Sequence, residues 1–309
     1  MIFKKPNFWQ TKNFVSLLLF PLTLITFSIN FLKKFSFKKN FKIKTICIGN
    51  LSAGGTGKTS LAVEINELLR DKFKTVFIKK KYSDQKDEYN LLKKRGKIIS
   101  SKNRIDSLKI AEKNFDLAIL DDGLQQKNIE YDLKIVCINS YEGFGNNFLL
   151  PAGPLRENSN ELKHYDIVFI NGFKQNRKIK NKIEKINSNL KIFDAIYEPI
   201  NLKEYNLNNR FLSFCGIGNP HEFENTLKKF KFKIKEKFIF PDHFNISDKI
   251  INNMKDIANK NNLKIITTEK DFLRLTKKQQ KGINFLKVKL KIQNKSKLKK
   301  FLTSIYEKN

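Results

Sequence analysis

Hydrophobic positions along this chain gather into short runs separated by polar helical or loop stretches. That alternation predicts a parallel sheet with helices on both faces. TICIGN (45–50) reads as a first strand, followed by a glycine-rich loop and a helix, SLAVEINELLRDKF (60–73). TVFIKK (75–80) reads as the second strand. Residues 81–103 are polar and loop-like, with a short helix at 87–95, and 104–115 read as helix. FDLAIL (115–120), DLKIVCIN (132–139) and YDIVFIN (165–171) follow as buried strands.

The second half repeats the theme on a smaller scale. IFDAIYEPI (192–200), RFLSFCGIG (210–218), KIKEKFIF (233–240), KIITT (264–268) and NFLKVKLKI (284–292) read as strands. NPHEFENTLKKF (219–230) and SDKIINNMKDIANKNN (247–262) read as helices, the latter capped by Ser247, and the tail reads as a Lys-rich helix. The expected divisions are a membrane-associated helix and basic joint over 1–40, a P-loop domain over 41–200, and a smaller α/β domain over 201–309.

Residues 13–32 carry no charge and are flanked by Lys12 and by Lys33 and Lys34. Twenty residues could span a bilayer, but Ser16, Thr23, Thr26, Ser28, Asn30 and Pro21 weaken the run. The reading is a helix lying in, or partly embedded in, a membrane interface, against the alternative of a buried first helix of the fold. No small-residue cleavage site follows, so a signal peptide is not expected.

Composition adds an unusual charge. Sixty-one Lys and Arg against 30 Asp and Glu give a formal net charge of +31. The excess is spread along the chain. It fits attraction to anionic lipid, or compositional drift shared with abundant Asn, Ile and Phe. Nucleic-acid recognition elements are not seen, so no nucleic-acid partner is expected. Cys47, Cys137 and Cys215 form no CxxC pair; Cys47 and Cys137 sit in apolar runs and read as buried thiols.

The chemistry concentrates in a few segments. Ser52, Ala53, Gly54, Gly55, Thr56, Gly57, Lys58 and Thr59 lie between a strand and a helix, the context of a phosphate loop. Glycines let backbone N–H groups converge on phosphate, Lys58 would reach the β and γ phosphates of ATP, and Thr59 would ligate Mg²⁺. Asp121 and Asp122 end the LAIL run, where P-loop enzymes place an acid beside the metal. If the strand persists, adjacent carboxylates point to opposite sides, one to Mg²⁺ and one to the loop beyond. In LLPAGPLRE (149–157), Arg156 could stabilise phosphate charge and Glu157 could support the metal. Phe240-Pro241-Asp242-His243 and Thr268-Glu269-Lys270-Asp271 each follow a strand end; His243 could pair with a carboxylate and tune a general base.

Together GNLSAGGTGKT, LDDGLQ, FGNNFLLPAGPLRE, CGIGNPHEF, FPDH and TTEKD, in this order over about residues 43 to 275, resemble the tetraacyldisaccharide 4'-kinase family. The resemblance implies an α/β fold: a P-loop NTPase-like parallel-sheet domain, a second smaller α/β domain, an active site between them and an N-terminal membrane-binding helix. It implies transfer of the γ-phosphoryl of ATP, with Mg²⁺, to the 4'-hydroxyl of an acylated glucosamine disaccharide 1-phosphate, giving lipid IVA. The setting would be the cytoplasmic face of the bacterial inner membrane, against a lipid surface. Lys58, Thr59, Asp121, Asp122, Arg156 and Glu157 fall on the family's site residues; Asp87 would be the base, held ionised by His243. The chain departs from the family at Gln126, where His is usual, and at Lys80-Lys81-Tyr82, where Arg-Gly-Tyr is usual. Two rival readings stay open: a membrane-associated P-loop ATPase used as a switch, and a basic membrane- or nucleic-acid-binding protein with a vestigial nucleotide fold. ATPase activity with and without acylated disaccharide separates the first, and Mg²⁺-ATP affinity the second.

Overall fold

The computed structural model describes residues 6–82, 86–172, 176–242 and 244–307. A 3-10 turn at Asn7–Trp9 precedes α1 (Phe14–Leu18), a second 3-10 turn at Phe20–Leu22 and α2 (Thr23–Lys34). Asn13 and Ser16 form a capping box on α1, and Pro21 sits where the run changes to 3-10, since its ring removes a helical donor. Then come β1 (Lys44–Gly49), α3 (Lys58–Leu69), β2 (Thr75–Lys80), α4 (Lys86–Lys93), β3 (Ile98–Ser101), α5 (Arg104–Ala111), β4 (Leu117–Asp121), β5 (Leu133–Asn139), β6 (Ile167–Asn171), α6 (Arg177–Ile186) and β7 (Lys191–Pro199). After these follow β8 (Arg210–Cys215), α7 (Pro220–Lys229), β9 (Lys233–Ile239), α8 (Asp248–Lys260), β10 (Lys264–Thr268), α9 (Glu269–Phe272), α10 (Lys277–Gln280), β11 (Ile283–Leu286), β12 (Val288–Ile292) and α11 (Lys295–Tyr306).

The described residues form two compact units. The larger holds 6–82, Leu92–Ile196 and 292–307; the smaller holds 86–91 and Tyr197–Lys291. In the larger unit an eight-stranded sheet runs β12-β7-β6-β5-β1-β4-β2-β3. The pairings from β3 across to β7 are parallel. Central strands with both faces covered read as unbroken apolar runs. Accordingly Ile46, Ile48, Leu117, Ile119 and Leu120 are fully buried. The smaller unit is a parallel sheet, β11-β10-β8-β9. Its core includes Leu212, Phe214, Met254 and Ile265.

Three expectations change. NFLKVKLKI is not one strand: it divides at Lys287, β11 joining the small sheet and β12 the large one. The Lys-rich tail helix packs in the larger unit, burying Leu298, Leu302 and Tyr306, and Tyr306 Oη donates to Thr45 O at 3.3 Å. The N-terminal helices also belong to that unit: Thr26 Oγ1 donates to Leu150 O at 2.7 Å, Asn30 Nδ2 to Arg156 O at 2.6 Å, and Trp9 Nε1 to Pro151 O at 3.0 Å. Ser16, Thr23, Thr26 and Asn30, four of the polar residues in the apolar run, are thus buried or bonded to protein, while Leu18, Leu24 and Leu32 are each more than 60% exposed. Among the described residues no helix is long and apolar enough to cross a membrane.

Candidate active site

The order of the large sheet brings the chemistry to one edge. β1 lies between β4 and β5, and its parallel register sets Ile48 beside Asp121; β2 sets Lys79 beside the same Asp121. The ends of three strands therefore meet just where β1 runs into the glycine-rich turn.

That turn is held from behind. The buried Asn50 amide donates to Ser52 O at 2.6 Å and Gly54 O at 3.2 Å, and Asn171, at the end of β6, donates to Thr56 O at 2.6 Å. With these carbonyls occupied, the N–H groups are the polar face left for an anion. Gly54 and Gly57 adopt φ of 107° and 85°, a region where a Cβ is strained. Gly57 is also the cap of α3, which has no side-chain cap and no acid in its first turn. Its leading N–H groups thus remain without side-chain acceptors, as a phosphate site requires.

The 149–157 loop lies along this turn. Ser52 bridges Leu155 in antiparallel fashion, Ala53 N donates to Pro154 O at 2.8 Å, and Arg156 N to Leu51 O at 2.6 Å. That pairing gives Ser52 a role as a bridge residue and delivers Arg156 to the site.

The strand does not run through the acidic pair, so the condition for opposite-facing carboxylates is not met. β4 ends at Asp121, and Asp122 takes a left-handed φ of 59°. The next residue must be glycine, since a Cβ on Gly123 would sit 2.8 Å from Cys47 Sγ. Arg104 secures the bend by donating from Nη2 to Asp122 O at 2.6 Å and from Nη1 to Gln126 Oε1 at 3.2 Å. Asp121 Oδ2 then accepts from Thr59 Oγ1 at 3.0 Å and from Lys79 Nζ at 2.8 Å. Asp122 Oδ1 lies 3.7 Å from Lys58 Nζ and 3.2 Å from Arg156 Nη1. Burial pushes the Asp122 carboxyl up, but Lys58, Arg156 and Arg104 outweigh it and hold it below its ordinary value.

Asp121 Oδ1 is buried with no hydrogen-bond partner among the described residues. An orphaned carboxylate oxygen beside a threonine hydroxyl fits a hard cation that takes oxygen ligands. Among the described residues no three acids, histidines or cysteines cluster to hold a metal alone. Thr59 and Asp121 would therefore share it with phosphate oxygens and water, as Mg²⁺ sites commonly do.

Glu157 is not brought to this cluster. It is 2% exposed, accepts from Tyr165 Oη at 2.7 Å, and pairs with Lys127 Nζ at 2.7 Å. Both of its oxygens are engaged there. Asp87 lies in the first turn of α4, in the smaller unit. Its side chain, and His243 altogether, lie outside the described residues. The three cysteines are free and buried, and burial raises each thiol to about 12, so none serves as a nucleophile here.

Two residues that the sequence reading passed over matter. Lys79 is 3% exposed, a cation inside a central strand, and such a group must have a partner. Its place on β2, aligned with the acidic end of the next parallel strand, was the available clue. Arg104 carries no comparable clue, because it acts mainly on the backbone carbonyls of Asp121 and Asp122.

A Lys-Thr pair at the head of a helix, entered through a glycine turn and faced by acids ending the adjacent parallel strand, defines a P-loop phosphoryl-transfer protein. The family model described as LpxK, tetraacyldisaccharide-1-P 4'-kinase, matches residues 15–307. A tetraacyldisaccharide 4'-kinase of Pelagibacter ubique is 44% identical over the whole of both chains. One from Rickettsia akari is 34% identical, covering 94% of this chain and 93% of the relative. A crystal structure of LpxK from Aquifex aeolicus in complex with ATP shares the fold, with a TM-score of 0.70 over 94% of this chain and 99% of that one at 23% identity. The chain belongs to the tetraacyldisaccharide 4'-kinase family, and it is a kinase.

Proposed function

We propose that this kinase transfers the γ-phosphoryl group of ATP to the 4'-hydroxyl of a tetraacylated glucosamine disaccharide 1-phosphate, forming lipid IVA. The observation that carries the assignment of roles is the unpartnered Asp121 Oδ1 beside Thr59 at the head of α3. Backbone N–H groups from Gly54 to Thr59 bind the phosphates, and Lys58 meets the charge of the moving group. Thr59 and Asp121 would hold Mg²⁺, which supplies neutralising charge at the β and γ phosphates. Asp122 keeps Lys58 and Arg156 extended toward the phosphate turn, and Arg156 then meets the developing charge. Asp87 takes the proton of the sugar hydroxyl, with His243 holding it ionised; this assignment rests on the sequence match.

We also place the chain on a membrane surface at the cytoplasmic face, where ATP is available and the acylated substrate is anchored. The outward apolar residues of α1 and α2, with Lys33 and Lys34 in the last turn, suit an interfacial helix over anionic lipid. Radiolabelled γ-phosphoryl transfer to the tetraacyl disaccharide 1-phosphate in detergent micelles tests the reading. Wild type should label the lipid, Lys58→Ala should not, and Asp87→Ala should still bind ATP while turning over at least 100-fold more slowly. Labelled inorganic phosphate with no labelled lipid would refute the assignment.

A further inference from the structure

The TTEKD segment lies in the smaller unit and ties its loops together. Asp271 is 1% exposed, and its carboxylate accepts from Gly216 N at 3.0 Å, Thr268 Oγ1 at 2.7 Å and Arg274 Nη1 at 3.0 Å. Arg274 Nη1 also donates to Gly216 O at 2.7 Å. The first turn of α9 is thus locked to the loop after β8. From that fixed turn Lys270 extends its ammonium to 3.3 Å from Glu88 Oε1 on α4 and 3.5 Å from Asp242 Oδ1 in the loop after β9. Arg274 Nη2 lies 3.8 Å from the same Asp242 oxygen. All four side chains are less than a third exposed, so screening is weaker than at an open surface.

The positions of the two acids give the bridge its meaning. Glu88 immediately follows Asp87, and Asp242 immediately precedes His243. We propose that Lys270 is a positioning residue for phosphoryl transfer: its ammonium ties Glu88 to Asp242 and so sets the two chain segments that carry the base and its histidine. A cation between two carboxylates is the simplest device for holding segments far apart in sequence at a fixed separation, because each alone would be repelled by the other. The proposal rests on the reading of Asp87 and His243 given above. Catalysis is sensitive to such placement, since a small displacement of a base costs orders of magnitude in rate.

The test compares Lys270→Met, Lys270→Arg, Glu88→Gln and Asp87→Asn in the full chain with lipid acceptor in micelles. Lys270→Met and Glu88→Gln should each lower kcat at least tenfold while leaving KM for ATP within twofold of wild type, because the phosphate turn belongs to the other unit. Lys270→Arg should recover most of the loss, and amides of α4 should exchange faster in Lys270→Met. A kcat within twofold of wild type in Lys270→Met, or in Glu88→Gln should the former not fold, overturns the proposal; if Asp87→Asn is meanwhile inactive, the base assignment survives that failure. Near-normal turnover in Asp87→Asn overturns the base reading and this proposal with it. A loss in Lys270→Met confined to thermal stability, with kcat unchanged, reduces Lys270 to a structural ion pair and also overturns it.

Discussion

Replacing Lys79 by methionine isolates one buried charge pair. The Lys79 and Asp121 side chains are 4% and 1% exposed, with Nζ 2.8 Å from Oδ2. Methionine fills a similar volume, so the main effect is a carboxylate left deep in the sheet with only the Thr59 hydroxyl as donor. Removing one member of a buried pair costs about 3–5 kcal/mol, because the other charge stays desolvated. The remaining threonine bond places the expected loss near the lower end, about 3 kcal/mol. Adding Asp121→Asn removes the stranded charge, and the double variant should regain about 2 kcal/mol. Urea unfolding can be followed by Trp9, the single tryptophan, which is hydrogen-bonded to Pro151 within the same unit. Mg²⁺-ATP should raise the melting temperature of Lys79→Met more than that of wild type, since the cation restores charge beside Asp121. A loss below about 1 kcal/mol, or a double variant no more stable than the single one, would refute this account of the pair.

Burial raises Glu222 from 4.5 to about 7, and its Oε1 has no hydrogen-bond partner among the described residues. A raised folded-state value means its stability contribution is complete below about 4.5 and is lost as pH rises through about 7. Glu222→Gln should therefore melt higher than wild type at pH 8, by at most about 3 kcal/mol, with the gap closing at pH 4.5; a gap independent of pH would contradict the assignment. Serine at Leu18, Leu24 and Leu32 together should weaken binding to anionic vesicles on the order of 100-fold in a sedimentation assay. Unchanged partitioning would remove α1 and α2 as the lipid contact.

Much of this architecture is readable in the chain because central parallel strands must be apolar on both faces. TICIGN, LAIL and YDIVFIN stand out for that reason, and GGTGKT stands out because few other sequences turn so tightly into a helix. What escaped was set by distant partners. IISS of β3 is an edge strand, only half buried, and carries no strong pattern. The helix at Arg177–Ile186 buries Ile179 and Ile183 in a segment crowded with lysines. The break at Lys287 depends on two separate sheets each claiming half of one apolar run. The bend after Asp121 depends on a left-handed residue that local sequence does not announce, and the loss of Glu157 to Tyr165 depends on a tertiary contact.

The path from β7 out to Tyr197 and back through β12 has a consequence for synthesis. Tyr197–Lys291, the main part of the smaller unit, is an insertion: the chain leaves the large sheet at one strand and rejoins at the neighbouring one. β12, at the edge of the large sheet, and the closing helix α11 therefore leave the ribosome after the small sheet. Until they emerge, β7 presents an unpaired edge and the surface meant for Leu298, Leu302 and Tyr306 lies open. A nascent chain can finish its small sheet first, while its phosphate-binding half waits for β12 and α11, and deletion of that strand and helix damages the half that carries the phosphate turn.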